Sequence, residues 1–323
     1  MLSELAFSAD DLALTRFAVS PMWEVVTSFR LLMSDSPHPV HRRWVEQVRP
    51  RAVAAGLDRG WLSELAAPEQ RYLCDFLTPF PGAPAPTLDA ELAAIRATPA
   101  DLVRTDLAKI APGPRRQALL ADAQTRLDRV TDEIETYWEL ALAPYWAKIR
   151  AVLDAEVFHR ARQVAEHGTG HLFNDLHSTV SWDDNTLRLV RRQCSLSRER
   201  TGVGLLLVPS AFATGVLTWS RAPEPPQLAY PARGIGTLWE SRPVARAEAI
   251  SAVLGRSRTR LLTELGAPAS TTELAGRTGI SAAGVSQHLT ALRDAGMVSA
   301  HRAGRSVLYA RTAIAESLLM APV

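Results

Sequence analysis

The stretch STTELAGRTGISAAGVSQHLTALRD, residues 270–294, predicts two helices joined by a tight turn. Ser270 and Glu273 form a capping box, in which the serine oxygen accepts from the backbone three residues on and the glutamate reaches back. Gly279 can adopt the left-handed conformation that a short turn between helices requires. Ser281 then caps the second helix, which we predict over 282–295.

The second helix has two different faces. Val285, Leu289 and Leu292 recur at helical spacing, so we expect them to point into a core. The opposite face carries small and polar side chains: Ala282, Ala283, Ser286, Gln287, Thr290 and Arg293. A helix that only packs has no need of so slim a face, but it suits a helix that enters the major groove of duplex DNA, about 12 Å wide.

Both flanks of these helices extend the pattern. Upstream, 247–265 predicts a pair of amphipathic helices broken near Gly255. Downstream, 298–302 and 306–310 predict two strands joined at Ala303-Gly304. Two arginines flank the tip of this hairpin, Arg302 and Arg305. A hairpin with a basic tip beside a polar helix can reach backbone phosphates or a narrow minor groove.

The run LGRSRTRLLTELGAPASTTELAGRTGISAAGVSQHLTALRDAGMVSAHRAGRSVLYART, residues 254–312, resembles the ArsR/SmtB-type winged helix-turn-helix regulators. The stretches TELA, GIS, VSQHL, LRDAGMV and RAGRSVLY match that family's pattern in order and spacing. The resemblance implies a DNA-binding transcription regulator that acts as a homodimer on a pseudo-palindromic operator. Because most members of the family repress transcription, we expect a repressor, with activation as the alternative.

The same resemblance assigns roles to single residues. It implies that Ser286 and Gln287 face base edges, and that Ser281 and Thr290 lie near phosphates. His288 sits at a half-buried position, so we expect a structural role with at most one phosphate contact rather than base reading. Arg293, Arg302 and Arg305 complete the predicted DNA-binding set.

The chain departs from the family in two ways that bear on its partners. Many members bind metal through cysteines on the helix corresponding to Thr271–Arg277, where this chain has none. The C-terminal helix that usually completes the dimer interface is reduced to about 313–320. We therefore expect the N-terminal part of the chain to supply dimer contacts.

We predict a domain boundary near residue 240. All eight Trp and all eight Phe precede Val244, and a polar step and a proline stand at 240–243. Charge divides there too, because nine arginines and five acids from Val244 onward give +4, against −2 for the remainder. The predicted domains are 1–240, with a possible subdivision near 170–180, and a DNA-binding domain over 244–323.

The N-terminal domain is predicted to be mainly helical with small β elements, so the expected fold class is α+β. Its stretches PYWAKIRAVLDAE, GLLLVPSAF and YPARGIGTLWE resemble an uncharacterised domain that precedes this module in regulators of high-GC Gram-positive bacteria. The predicted elements are helices over 21–33, 39–55, 88–96 and 115–166, the last interrupted at 143–144, a hairpin of 179–182 with 186–190, and strands within 204–208, 215–219 and 228–230.

Other function classes find little support. The acidic pairs Glu133/Glu135 and Asp183/Asp184 are commonplace on helices and turns, and no nucleophile elbow, phosphate-binding loop or dinucleotide fingerprint occurs. We expect no enzyme, no catalytic residue and no cofactor. The scattered histidines His159, His167, His171 and His177 lack the grouping of a zinc site, so no metal is expected.

Location and partners follow from the same observations. No apolar run approaches the ~20 residues that span a bilayer, the N-terminus lacks the features of a signal peptide, and two distant cysteines fit a reduced cytoplasm. We expect a cytoplasmic protein, on the nucleoid when bound to double-stranded DNA.

We hypothesise that the Trp-rich N-terminal domain senses a small molecule or a partner protein. A plain hydrophobic core explains the tryptophans equally well. The alternatives are a winged helix used for protein contacts, or an enzyme fused to a DNA-binding module.

Overall fold

The computed structural model describes residues 2–36, 39–190, 202–221, 223–239, 247–303 and 306–320. It is 57% helical with small sheets, so the chain is mainly α with small β elements, as its sequence predicts. Two compact units are present. Unit 1 comprises Met1–His38, Leu57–Ile134 and Val152–Gly234, and unit 2 comprises Pro39–Gly56, Glu135–Ala151 and Ile235–Val323.

The helices and strands of the described residues are as follows. The helices are α1 Ala9–Ala13, α2 Pro21–Met33, α3 Arg42–Ala54, α4 Leu62–Leu65, α5 Leu88–Arg96, α6 Ala100–Leu107, α7 Pro114–Ala121, α8 Ala123–Ala141, α9 Trp146–His167, α10 Thr169–Leu176, α11 Ala247–Leu254, α12 Arg256–Glu264, α13 Thr271–Thr278, α14 Ala282–Asp294 and α15 Ala313–Met320. The strands are β1 Leu2–Ala6, β2 Arg16–Phe17, β3 Val180–Asp183, β4 Thr186–Val190, β5 Leu206–Ser210, β6 Leu217–Trp219, β7 Gln227–Pro231, β8 Val298–Ala303 and β9 Ser306–Arg311.

Local signals explain the predicted helices of unit 1. α2 begins where Ser20 accepts a hydrogen bond from the Trp23 amide and Pro21 takes the first helical position. α5 begins where Thr87 accepts from the Ala90 amide. Both helices have the predicted bounds. The predicted helical stretch 115–166 breaks at 143–145, as expected, and also at Asp122, which we did not predict.

Unit 1 contains two small sheets. In one, β4 lies between β1 and β3, and both pairings are antiparallel. The β3–β4 hairpin was predicted, and its turn has positive φ at Asp184 and Asn185 (47° and 52°). The other sheet has the order β2-β5-β7-β6, with β5 parallel to both β2 and β7. The sequence did not predict β1 or β2, because each is short and pairs only with a distant strand.

Unit 2 is larger than the DNA-binding domain predicted over 244–323. It also takes in Pro39–Gly56, which holds α3, and Glu135–Ala151. The fully buried Trp44 indole donates from Nε1 to the carbonyl oxygen of Ala141 at 2.9 Å, which joins these two added segments. The division of the structure therefore differs from the boundary predicted near 240. A boundary taken from composition cannot register such pairings, because they leave no local signal.

None of the described helices combines the length and the hydrophobicity that spanning a lipid bilayer requires. The described residues also contain no group of three or more His, Cys, Asp or Glu side chains placed to hold a metal ion. The rings of His167 and His171 do approach to 4.9 Å between centroids, at the break between α9 and α10.

Candidate nucleic-acid interface

The turn between α13 and α14 is built from the signals that the sequence predicts. Ser270 Oγ accepts from the Glu273 amide at 3.3 Å, and Glu273 Oε2 accepts from the Ser270 amide at 2.7 Å. Gly279 ends α13 in the left-handed conformation, with φ 68°. Ser281 Oγ then accepts from the Gly284 amide at 3.2 Å and starts α14. These contacts fix where each helix begins and ends.

One face of α14 is buried in a small aliphatic core. Val285 and Leu289 are fully buried, and Leu292 is nearly so. They pack with Leu261, Leu262, Leu265 and Leu274 of the preceding helices and turn. Ala275 and Ile280, which the sequence placed at the helix crossing and on the inner face, pack against this core while partly buried. The core therefore holds α14 by its inner face alone.

The other face of α14 is open to solvent. Of the ten residues predicted to bind DNA, eight are exposed: Ser281, Ala282, Ala283, Ser286, Gln287, Thr290, Arg293 and Arg302. His288 is half-buried, as the sequence suggests. Thr290 Oγ1 donates to the carbonyl oxygen of Ser286 at 3.0 Å, so its hydroxyl proton is engaged within the helix. All but Arg302 lie on α14 or at its N-cap, and the contact of these residues with DNA stays a prediction.

The predicted hairpin follows α14. β8 and β9 are antiparallel, with Arg302 opposite Val307 and Ala303 opposite Ser306. Arg302 is exposed near the tip, whereas Arg305 lies outside the described residues. Leu308 turns inward and is buried. The hairpin therefore turns Leu308 toward the core and leaves Arg302 exposed to solvent, as the predicted wing requires.

Strand β8 is also anchored, through residues that sequence reasoning missed. His301 Nε2 lies 2.7 Å from Ser299 Oγ, and its Nδ1 lies 3.3 Å from Oε2 of Glu139. Glu139 belongs to the 135–151 segment of unit 2. Nothing local in the sequence marks this pair, because its members are 162 residues apart.

A second missed contact holds the loop between α12 and α13. Lys148 Nζ donates to the carbonyl oxygen of Gly266 at 2.6 Å, and Arg311 Nε donates to that of Leu265 at 3.0 Å. Glu316 lies between the two cations, 3.8 Å from Lys148 and 3.2 Å from Arg311. Burial lowers the pKa of Lys148 to about 8. Two cations, one of them outside the predicted domain, thus fix the loop that leads into α13.

The charge of the two units is sharply unequal. Unit 2 contains sixteen basic and nine acidic residues, a net charge of +7, and unit 1 contains twenty basic and twenty-five acidic residues, a net charge of −5. Division of the chain at the predicted boundary gives a net charge of only +4 for 244–323 and −2 for the remainder. The difference arises largely because the segment Pro39–Gly56 brings four arginines to unit 2. A compact basic unit with an exposed polar helix is the footprint expected of a nucleic-acid-binding surface.

Residues 256–299 match a family model described as a helix-turn-helix domain. The chain therefore carries a helix-turn-helix DNA-binding module. The match begins with α12, contains α13 and α14, and ends just inside β8. Comparisons with curated proteins and with solved structures find no match. The identification of the module therefore rests on this match and on the geometry of α12 to β9.

Proposed function

We propose that the chain is a sequence-specific transcription regulator of the ArsR/SmtB type that reads duplex DNA with α14 in the major groove. One observation carries the proposal: α14 buries Val285, Leu289 and Leu292 while it exposes Ser286 and Gln287. The β8–β9 hairpin follows α14 in the chain and exposes Arg302. The net charge of +7 on unit 2 supports the assignment of this unit as the part of the chain that binds a polyanion.

The exposed residues divide by the chemistry of their contacts. Ser286 and Gln287 read base edges, and a glutamine is well suited to bidentate contact with adenine. Arg293, Arg302 and Arg305 meet phosphates and set the register of the protein on the duplex. Thr290 can donate to a phosphate only if it gives up its hydrogen bond to the Ser286 carbonyl.

The regulator acts in this proposal as a homodimer and as a repressor. A single recognition helix reads too few base pairs for specificity, whereas two copies of α14 about 34–36 Å apart read successive major grooves of a pseudo-palindromic site. Binding there blocks the polymerase. Unit 1 has no catalytic role in this proposal, and the N-terminal domain predicted over 1–240 senses a small molecule or a partner protein.

Genome-wide capture of DNA bound to the full chain is the first test. The proposal expects enriched sites with two half-sites one helical turn apart, and a mobility shift on these sites that the Gln287→Ala variant weakens. The exposed Thr272→Ala change, on α13 outside the predicted DNA-binding set, is the matched control. A footprint of one half-site would exclude the dimer, and no enrichment over random DNA would exclude sequence-specific regulation.

A further inference from the structure

Unit 2 contains a cavity of about 400 Å³ that the DNA-binding role does not use. This volume lies within the range of small-molecule sites, about 300–1,000 Å³. The residues that decide its chemistry are Arg43 and Trp44 of α3, Tyr145, Trp239, Glu264 of α12 and Arg277 of α13. The cavity therefore joins the N-terminal segments of unit 2 to the first helices of the DNA-binding module.

One wall of the cavity is aromatic. The rings of Trp44 and Trp239 are nearly parallel, with centroids 6.4 Å apart and an interplanar angle of 25°, and the Tyr145 ring meets Trp239 edge-on at 5.3 Å. Both indole N–H groups are already bonded within the protein. Trp44 donates to the Ala141 carbonyl at 2.9 Å, and Trp239 to His41 Nδ1 at 3.1 Å. Trp44 and Tyr145 are buried and back the partly exposed Trp239, so Trp239 is the ring that offers the cavity carbon surface, which favours a flat apolar ligand.

The other wall carries exposed charged side chains. Among the described residues, Arg43 and Arg277 make no hydrogen bond or close ion pair, although Arg277 helps to lower the pKa of Glu273, and both line the same cavity. Glu264 is likewise without a hydrogen-bonded partner there. Two guanidinium groups and one carboxylate leave a net charge of +1 in the lining. This balance favours a ligand with one negative charge over a nucleotide or another polyanion, and guanidinium binds a carboxylate in bidentate fashion.

We propose that this cavity binds a planar aromatic carboxylate, and that occupancy weakens DNA binding by unit 2. The Trp239 ring stacks on the ligand, and Arg43 and Arg277 hold its carboxylate. The coupling part rests on the proposed regulator function. Its physical basis is that Arg277 lies in the last turn of α13, directly before the Gly279 turn that starts α14. A ligand anion there neutralises positive charge on the module that faces DNA phosphates.

Calorimetric titration of the full chain with 1-naphthoate tests the site without any DNA. The neutral 1-naphthamide has nearly the same shape, so it isolates the contribution of the carboxylate. We expect naphthoate to bind with 1:1 stoichiometry, the amide to bind at least tenfold more weakly, and Arg43→Ala and Arg277→Ala each to weaken naphthoate binding. The control is Arg42→Ala, which removes the same charge from an exposed position of α3 outside the cavity.

Three outcomes of this titration would overturn the ligand site. These are no naphthoate binding at millimolar concentration, equal binding of naphthoate and naphthamide, and equal losses in the Arg42 and Arg43 variants. Since all three are measured without DNA, they remain informative even if the chain regulates no gene.

The second arm measures coupling on the captured operator. Saturating naphthoate should raise the operator Kd about fivefold or more, a typical size for coupling between sites, and the Arg43→Ala variant should lose this response. An unchanged operator Kd in the presence of bound naphthoate would overturn the coupling while leaving the site intact. If Arg43→Ala alone weakens operator binding as much as ligand does, Arg43 contacts DNA and the cavity is part of that interface instead.

Discussion

Unit 1 and the α13–α14 region of unit 2 use polar side chains in opposite ways. Unit 1 buries carboxylates and satisfies them with backbone donors: Asp11 accepts from Gly202 and Gly204, Glu24 from Ala211, and Glu91 from Met22. Unit 2 keeps Ser286 and Gln287 at the surface, with buried aliphatic residues beneath them. Buried polar groups of the first kind fix loops and helix starts, whereas exposed groups of the second kind are available to a partner.

The contrast teaches where to look for function in this chain. Two of the buried carboxyl groups have strongly shifted pKa values, since burial raises the pKa of Glu24 to about 8 and that of Glu91 to about 7. Yet each is fully engaged inside unit 1 and out of reach of a macromolecular partner. A perturbed pKa here marks a structural role, and the ordinary polar face of α14 marks the interface.

The largest effect is expected at Trp44, which tests whether the segment 39–56 belongs to unit 2. Trp44→Ala removes a buried indole and its hydrogen bond to Ala141, and should destabilise unit 2 by about 3–5 kcal/mol. Hydrogen exchange should show faster exchange in α12 and α14. The exposed Val53→Ala change on the same helix is the control. Unchanged protection in α12 and α14 would mean that the DNA-binding module is stable without this segment.

Glu24 tests the opposite unit. Glu24→Ala leaves the buried Ala211 amide without an acceptor, and should destabilise unit 1 by about 1–3 kcal/mol for that donor alone. Urea denaturation followed by fluorescence measures the change. A loss below half a kilocalorie per mole would show that another group takes over the amide.

The pH dependence of unit 1 follows from the same carboxyl group. The pKa of Glu24 rises from 4.5 to about 8 on folding, so the folded state holds a proton that the unfolded state releases. Its contribution to stability is complete below pH 4.5 and declines as pH rises to about 8. Glu24→Gln should flatten this decline in urea midpoints measured across that range, and the exposed Asp89→Asn serves as the control. A steeper decline in the variant would reverse the sign of the argument.

Gln287 tests the exposed polar groups of unit 2, which should affect DNA binding rather than stability. Gln287→Ala should leave the free energy of unfolding within about 0.5 kcal/mol, because the side chain is exposed. It should nonetheless weaken binding to the operator by about 1–3 kcal/mol while sparing random DNA. Competition mobility shifts with both DNAs measure the difference. Equal losses on both would mean that Gln287 does not read bases.

The arginines near the tip of the hairpin should contribute to sequence-independent DNA binding, in contrast to Gln287. Arg302→Ala, and likewise Arg305→Ala, should weaken binding to all sequences and lower the slope of log K against log salt by about one unit. Fluorescence anisotropy over a series of salt concentrations checks this. A slope that stays at the parental value would exclude a phosphate contact for the residue tested.

The smallest effect separates two helical glycines of the DNA-binding module. A Cβ at Gly276 of α13 meets nothing within 4 Å, so Gly276→Ala should stabilise unit 2 by up to ~1 kcal/mol. A Cβ at Gly284 of α14 would stand 3.1 Å from Ile280 Cγ2 and 3.2 Å from Ser281 Oγ. Gly284→Ala should therefore gain less or nothing. Thermal midpoints distinguish them, and an equal gain in both would show that the start of α14 adapts freely.

The sequence by itself determined the DNA-binding module, because the signals that specify it are local. The Ser270–Glu273 box, Gly279, and the spacing of Val285, Leu289 and Leu292 act within one or two helical turns, and the structure contains each of them. The helix bounds over 21–33 and 88–96 follow from caps in the same way.

Only the tertiary structure decided what supports that module. Lys148 contacts Gly266, and β1 pairs with β4, although the residues of each pair lie more than a hundred positions apart in the sequence. Unit 2 likewise includes 39–56 and 135–151, which other elements separate in the sequence. Such pairings depend on the shape and charge of two surfaces at once. The sequence contains the residues of each surface, but it does not show which surfaces contact each other. Neither the extent of unit 2 nor its cavity could therefore be predicted from the sequence.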